Sequence, residues 1–378
     1  MKTKSRLFDL ALLFLKLGTI GFGGPPALIA MMEIETVQKR QWVEREHFMD
    51  MLAITYLVPG PNAFEMASFL GYFHAGYSGL LIAGICFLLP ATLITLLIAY
   101  YYQSFGSLPQ AQAILSGITP MIIAIIMTSG YRIGKSALKN PQTLIIALGC
   151  FIAALSGVNG VIVTLIAGIL GLFFYFINRH NITPILIFVP TLIQLKQSLI
   201  LLNDRLVQLF LYFLKIGAIL FGSGYVLFAY INYDIVTRYQ WLTERQLLDT
   251  IAVGQITPGP VSSAVTFIGY LIEGLPGAIL STIAIFLPSF LIVLLLGKIL
   301  PRLRKSPIAQ NILDGVNSGV VALIFAVGLS LLRNSITDVG TAVIFLISIF
   351  VLIKYQLDPA LLILSGGLIG LIKMIIRV

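Results

Sequence analysis

The sequence contains one block of residues twice, and this duplication limits the folds that the chain can adopt. The first copy begins FLKLGTIGFGGPP at Phe14, and the second begins FLKIGAILFGSGY at Phe213, an offset of 199 residues. The offset stays constant over about 50 residues, through Trp42 to the PGP triplet that ends at Pro61. Chance does not preserve such a register. We therefore predict two homologous halves, with the function located where they meet.

The composition indicates a membrane protein built from α-helices. Of the 378 residues, 58% are hydrophobic and 10% are charged, whereas a soluble domain carries about 25% charged residues. Several apolar runs reach the length of about 20 residues that a helix needs to cross the hydrocarbon core. We therefore predict an all-α polytopic membrane protein whose surroundings are the lipid bilayer. The net charge of +9 is typical of Lys and Arg in cytoplasmic loops and does not indicate nucleic acid binding.

Glycine and proline interrupt two apolar segments in each half. The segment 7–32 contains five such residues within six positions, where a regular helix cannot continue; they are Gly21, Gly23, Gly24, Pro25 and Pro26. The segment 48–72 is split by Pro59-Gly60-Pro61, and the pattern returns in 209–230 and 247–270. We therefore predict two broken helices in each half.

The hydropathy of the remaining segments is compatible with ten to thirteen membrane crossings. We assign residues 1–180 to an N-terminal transmembrane repeat and residues 206–378 to a C-terminal repeat. Residues 181–205 form a linker with room for one extra crossing.

Loop charges predict that the two repeats have opposite orientations. The loop at 101–112 contains no Lys or Arg, whereas its counterpart carries Lys298, Arg302, Arg304 and Lys305. The next loop reverses the pattern, with three cations at 132–139 against Arg333 and an opposing Asp338. Cytoplasmic loops carry the excess of Lys and Arg, so equivalent loops should face opposite sides. We predict inverted repeats in the plasma membrane, with the N-terminus in the cytoplasm.

Inverted repeats with broken helices are typical of secondary transporters. Each break leaves backbone N–H and C=O groups at membrane depth, where only a solute, water or protein can satisfy them. Two similar halves of opposite orientation can also exchange conformations, which gives alternating access to the two sides. The alternative interpretation is that the Gly and Pro residues only kink packed helices, which tolerate them.

The residues near the breaks predict a site for a small anion. Lys16 and Lys215 lie inside apolar segments, where a cation usually marks a pathway, although a lysine can also reach the membrane surface by snorkelling. Helix N-termini after the PGP triplets add partial positive charge. Our candidate substrate-binding residues are Lys16, Gly23, Gly24, Pro59, Gly60, Pro61, Asn62, Lys215, Gly222, Gly224, Gln255, Pro258, Gly259, Pro260 and Ser262.

Glu65 is our candidate for coupling transport to protons. It lies one turn beyond the first PGP triplet, and its counterpart in the second half is Ala264. A carboxyl group in a membrane helix can carry a proton, because burial favours its neutral form. An ion pair with a nearby Lys or Arg is the alternative. We expect Glu33, Glu35 and Asp234, which lie in polar connections, to be solvated.

The motifs resemble those of one family. The FGG–Trp–PGP block, present in both halves, is similar to the long-chain chromate transporter family, and the resemblance covers nearly the whole chain. It implies two domains of opposite topology and export of chromate driven by the proton-motive force, with sulfate as a structural analogue. Two positions depart from the family pattern: FGSGY at 221–225 replaces FGGPP, and Tyr56 stands where the second copy has Gln255.

Other functions remain open on the sequence alone. The protein could import or exchange sulfate or another inorganic anion, or it could be a membrane-embedded enzyme or scaffold. Against an enzyme, the sequence contains no nucleophile–base pairing, no metal-ligand spacing and no nucleotide-binding glycine motif. We therefore predict no enzymatic activity, cofactor or metal, and we predict the oxyanion and protons as partners. A homodimer is compatible with the sequence, which does not determine the oligomeric state.

Overall fold

The computed structural model describes residues 2–22, 24–56, 58–106, 108–178, 204–221, 224–296, 306–336 and 338–376. Within these ranges the chain folds into fourteen α-helices and no β-strand. The first half contains α1 Lys2–Ile20, α2 Gly24–Glu33, α3 Arg45–Thr55, α4 Asn62–Phe105, α5 Pro109–Ala137, α6 Pro141–Leu155 and α7 Gly160–Asn178. The second half contains α8 Arg205–Ile219, α9 Tyr225–Ile231, α10 Glu244–Ile256, α11 Ala264–Leu296, α12 Pro307–Ser335, α13 Val339–Lys354 and α14 Pro359–Ile376.

The predicted helix breaks are confirmed in both halves. In the first half, α1 ends at Ile20 and α3 ends before the first PGP triplet; the matching breaks follow Ile219 and Ile256. Short π-helical turns, Ile34–Lys39 and Asn232–Arg238, extend α2 and α9. The candidate site residues Gly23 and Gly222, and the linker up to residue 203, lie outside the described residues.

The helix that follows each PGP triplet is a hairpin rather than two separate segments. Helix α4 turns sharply at Ala75 and Gly76, and α11 turns at Glu273 and Gly274. Gly76 has a φ of 63° and a ψ of −149°, a conformation that is essentially restricted to glycine. The turn brings the two arms into backbone contact, with Gly71 against Gly79. Sequence analysis had treated the two arms of α4 as independent segments.

The two halves interlock through reciprocal contacts. In each half the first helix packs against the long hairpin, α1 on α4 and α8 on α11, and the two hairpins pack against each other. The final helices are exchanged, because α6 and α7 pack on α12 while α13 and α14 pack on α5. Glycine pairs permit close approach at both exchanged contacts, Gly117 with Gly370 and Gly171 with Gly315.

Six of the described helices are long and apolar enough to cross a membrane: α4, α5, α7, α11, α12 and α14. Two shorter helices, α6 and α13, are also apolar. The outward faces of α13 and α14 expose large apolar side chains, including Leu346, Phe350, Leu364 and Leu368. The chain is therefore a multi-pass membrane protein. The opposite orientation of the halves stays a prediction, because the cationic loop at 298–305 lies outside the described residues.

Candidate functional site

The four helix breaks meet in two pairs, and each pair is joined by a hydrogen bond between the halves. The Gly60 N–H of the first PGP triplet donates to the Leu220 carbonyl at 2.6 Å, and the Gly259 N–H of the second donates to the Gly21 carbonyl at 2.8 Å. Leu220 and Gly21 are themselves matched positions of the duplication. The backbone groups that the breaks release are thus satisfied by the opposite half, as buried backbone groups require.

A small cavity lies at the pair formed by Gly21 and Gly259. Its volume is about 10 Å³, and its wall consists of Gly21, Gly24, Gly254, Gln255, Thr257, Gly259, Val261, Asp358 and Pro359. A cavity of that size holds about one water molecule. The site therefore has room for a solvent molecule but not for a tetrahedral oxyanion in this conformation.

Three buried polar groups near the second PGP triplet have no partner among the described residues. They are Gln255 Nε2, Ser262 Oγ and Ser263 Oγ. The hydroxyl of Tyr225 donates to Gln255 Oε1 at 3.3 Å, which leaves the Nε2 donors of the amide unused. Ser262 lies beside Gly224, where a Cβ atom would come within 3.6 Å of the hydroxyl oxygen. Buried polar groups are normally paired, so these donors mark a place where a ligand or water can bind.

The polar side chains of the site come from the second half. Gln255 is 8% exposed, whereas its counterpart Tyr56 is 56% exposed and is not part of the cavity wall. Ser262 and Ser263 correspond to Ala63 and Phe64, which are buried apolar residues. Asn62 is buried at the first position of α4, and Pro61 precedes it as the N-cap. The backbone at the junction follows the duplication, but the side chains do not.

The two membrane lysines are paired with carboxylates. Lys16 Nζ lies 2.9 Å from Glu35 Oε1, and Lys215 Nζ lies 3.8 Å from Asp234 Oδ2. The expectation that Glu35 and Asp234 are solvated is wrong, because their exposed fractions are 7% and 1%. Neither lysine is part of the cavity wall, and a role for them in anion binding stays a prediction.

Glu33 differs from these two carboxylates. It is partly exposed and forms an ion pair with Arg45 at 3.3 Å. A signal for the lysine–carboxylate pairs was present in the sequence, because Glu35 and Asp234 occupy matched positions of the duplication.

The two matched carboxylates differ in their electrostatics. Hydrogen bonds from Lys16 and Lys39 lower the pKa of Glu35 from 4.5 to about 2. Burial instead raises the pKa of Asp234. The geometry accounts for the difference, because Glu35 has cations at 2.9 and 3.0 Å, while the cations nearest Asp234 lie at 3.8 and 4.0 Å. The Asn159 amide also donates to Asp234, at 2.8 Å.

Glu65 is completely buried and faces the other half. Its Oε1 lies 3.0 Å from the hydroxyl oxygen of Ser289 on α11. The same hydroxyl lies 2.8 Å from the carbonyl oxygen of Pro59. Glu65 forms no ion pair within the described ranges, so the alternative interpretation finds no support. Sequence reasoning missed Ser289, which is 224 residues away from Glu65 along the chain.

The polar pair also departs from the duplication. The positions that match Glu65 and Ser289 hold Ala264 and Ala91, and Ala91 is the side chain next to Gly259. In the part of the chain that the structure describes, no group of three or more His, Cys, Asp or Glu side chains could hold a metal ion.

A duplicated bundle of apolar helices, with broken helices around a buried polar site, is the architecture of an integral membrane transport protein. The family model for the chromate transporter matches residues 8–172 and 207–371. The chain therefore belongs to the chromate transporter family.

Curated relatives are similar over nearly the full length. The chromate transport protein of Cupriavidus metallidurans is 33% identical, over 97% of this chain and 93% of the relative. A probable chromate transport protein of Synechococcus elongatus is 31% identical, over 95% of this chain and 93% of its own. The chromate transport protein of Pseudomonas aeruginosa is 30% identical, over 94% of this chain and 90% of its own. No solved structure matches the chain.

Proposed function

We propose that the protein carries chromate, a divalent tetrahedral oxyanion, across the membrane through the junction of the four helix breaks. One observation carries the proposal: three unpartnered buried donors, Gln255 Nε2, Ser262 Oγ and Ser263 Oγ, lie where the breaks meet. An oxyanion offers the acceptor oxygens that these donors need. The names of the similar proteins support chromate as the anion. The wider predicted site includes Gly24, Gly224 and both PGP triplets.

The anion would enter by separation of the two halves at the junction. A cavity of about 10 Å³ must widen to admit an oxyanion. The Gly259–Gly21 hydrogen bond joins two residues of its wall, and the matching Gly60–Leu220 bond joins the other pair of breaks. In this proposal the two bonds open alternately toward the two sides of an inverted repeat. Each released N–H would then donate to the anion, so no buried backbone group is left without a partner.

Radiotracer flux with the purified protein in liposomes tests the substrate and the direction. We expect flux of labelled chromate and competition by sulfate. An imposed pH gradient should stimulate this flux in the direction that corresponds to export from the cytoplasm. Flux of sulfate without chromate would favour a sulfate importer or exchanger. Absence of any oxyanion flux would contradict the proposed function.

Glu65 would carry the coupling proton. Glu65→Gln keeps the shape of the side chain but cannot ionise, so we expect it to reduce pH-driven flux far more than exchange of labelled for unlabelled anion. The control is Glu44→Gln, because the Glu44 side chain is 86% exposed. Unchanged pH-driven flux in Glu65→Gln would assign Glu65 a purely structural role.

Cysteine labelling tests the opposite orientation of the repeats in the plasma membrane. Single cysteines at Ser104 and at Arg304, in matching loops, should react with an impermeant reagent from opposite sides. If both cysteines react from the same side, the repeats are not inverted. Alternating access by two halves that exchange conformations would then be contradicted as well. A cysteine at Lys4 reports the side of the N-terminus, which we expect to be cytoplasmic.

A further inference from the structure

Two acceptor atoms beside Ser289 compete for its one hydroxyl hydrogen. The Ser289 oxygen lies 2.8 Å from the Pro59 carbonyl oxygen and 3.0 Å from Glu65 Oε1. A serine hydroxyl has one hydrogen to donate and two lone pairs to accept with. The carbonyl oxygen can only accept a hydrogen bond, and an ionised carboxylate likewise has no hydrogen to donate. Ser289 therefore satisfies both neighbours only when the carboxyl group carries a proton of its own.

With that proton present, the hydrogen bonds form a chain. The carboxyl O–H of Glu65 donates to Ser289 Oγ, and the Ser289 O–H donates to the carbonyl of Pro59. Without it, the hydroxyl must turn toward the carboxylate, and the Pro59 carbonyl loses the hydrogen bond from Ser289. A buried polar group without a partner is costly. The second oxygen, Glu65 Oε2, has no hydrogen-bond partner in the described part of the chain, which favours the neutral carboxyl group.

Among the described residues, Glu65 forms no ion pair. Charged groups on the helices that pack against α4 include Lys16, Asp249 and Glu273, and each has a partner elsewhere: Lys16 pairs with Glu35, Asp249 accepts from Tyr102, and Glu273 pairs with Arg205. Ser289 on α11 is the polar group that faces the carboxyl oxygens. The proton assignment therefore rests on the geometry of this hydroxyl.

The peptide that Ser289 holds is part of the substrate junction. The Pro59 carbonyl and the Gly60 N–H belong to the same peptide unit, and the Gly60 N–H donates to the Leu220 carbonyl at the break of the second half. When the Ser289 hydroxyl turns away, the Pro59 carbonyl loses its hydrogen bond. The N–H of the same peptide unit, that of Gly60, forms the hydrogen bond to Leu220 that joins the two halves. The matching peptide, Pro258–Gly259, lies beside Ala91, which has no hydroxyl group.

We propose that Ser289 is a positioning residue that links the protonation of Glu65 to the first PGP break, so that only one of the two matched closures responds to a proton. The inference rests on the proposed function for its role in transport, but the hydrogen-bond arrangement stands on the geometry alone. Loss of the proton from Glu65 frees the Pro59–Gly60 peptide, and rebinding of the proton fixes it again.

Infrared difference spectroscopy tests the arrangement without any transport measurement. The spectrum of the wild type minus that of Glu65→Gln should contain the carbonyl stretch of a protonated carboxyl group at neutral pH. In Ser289→Ala the band should move to higher frequency, because the acid O–H loses its acceptor, and Ser289→Thr should restore it. Absence of the band in the wild type would overturn the proposal. So would an unchanged band in Ser289→Ala.

Flux measurements test the link to the break. Loss of one hydrogen bond corresponds to about a tenfold change, so the ratio of pH-driven flux to anion exchange should fall about tenfold in Ser289→Ala and recover in Ser289→Thr. The control is Ser281→Ala, which removes another buried hydroxyl from α11. A parallel loss of both fluxes in Ser289→Ala would indicate a structural role and overturn the proposal. If no oxyanion is transported but the infrared band behaves as expected, the proposed function fails and the proton assignment on Glu65 remains.

Discussion

Lys16 Nζ lies 2.9 Å from Glu35 Oε1, and the same relationship recurs between Lys215 and Asp234 in the second half. Further cations lie near each carboxylate: Lys39 at 3.0 Å and Arg40 at 3.7 Å from Glu35, and Arg238 at 4.0 Å from Asp234. These contacts connect the first helix of each half to the π-helical turn beyond its break. The lysines therefore hold the two parts of each broken helix together through ion pairs.

Replacing the two lysines should have unequal effects on stability. In Lys16→Gln the carboxylate of Glu35 keeps Lys39, so we expect a loss of less than about 1 kcal/mol in the free energy of unfolding. In Lys215→Gln the more deeply buried Asp234 keeps, among the described residues, Arg238 at 4.0 Å and the Asn159 amide, so we expect a loss of about 1–3 kcal/mol. Denaturant unfolding in detergent measures both changes.

The same two variants decide whether the lysines bind the anion. A charge-assisted contact is worth about 1.5–3 kcal/mol, so replacing a lysine that binds the anion should lower chromate affinity about ten- to a hundredfold. A lysine that only balances its carboxylate would leave the affinity at the wild-type value. Wild-type affinity in both normally folded variants would contradict the prediction that Lys16 and Lys215 bind the anion.

Acid should weaken the contribution of Glu35. Its pKa is lowered from 4.5 to about 2 by Lys16 and Lys39, so the ionised side chain stabilises the folded state at pH values above 4.5. That stabilisation is lost as the pH falls from about 4.5 to about 2. The difference in melting temperature between the wild type and Glu35→Gln should therefore shrink over this range. An exposed control, Glu44→Gln, should leave the pH profile of the wild type unchanged, and a constant Glu35→Gln difference would contradict the ion-pair origin.

The one-sided distribution of donors predicts different roles for two matched positions. Gln255→Leu removes the amide group whose Nε2 has no partner among the described residues, so we expect chromate affinity to fall about tenfold. Tyr56→Leu changes the matching exposed position and should retain wild-type affinity. Isothermal titration of the purified proteins compares the two. Equal losses would indicate that both halves contribute side chains to the site.

A hydrogen bond between the halves should contribute to stability. The Tyr102 hydroxyl donates to Asp249 Oδ2 at 2.5 Å, from the end of α4 to the buried face of α10. Tyr102→Phe leaves that carboxyl group without its donor, so we expect a loss of about 1–3 kcal/mol in the free energy of unfolding. The adjacent Tyr101→Phe is the control, because Tyr101 is an exposed side chain. A comparable loss in the control would assign the effect to general packing.

Several features of this protein follow from the sequence because they depend on local chemistry. The length of an apolar run decides whether a helix can cross the membrane, and clustered Gly and Pro interrupt a helix whatever the tertiary structure. The constant offset from Phe14 to Phe213 required no structure to identify the two halves. The family resemblance rested on the same motifs, and the match to the chromate transporter model confirmed it.

The contacts within the site depended on how the two halves pack. Ser289 meets Glu65 across 224 residues and Tyr102 meets Asp249 across 147, and no local preference of either segment encodes such a contact. Burial of Glu35 was misjudged for the same reason, because its polar neighbours suggested solvent, while the fold places it beside the first helix. Sequence analysis named Gln255 and not its counterpart Tyr56 as a site residue, but only the packing of the two halves brings Gln255 into the cavity wall, while Tyr56 is exposed.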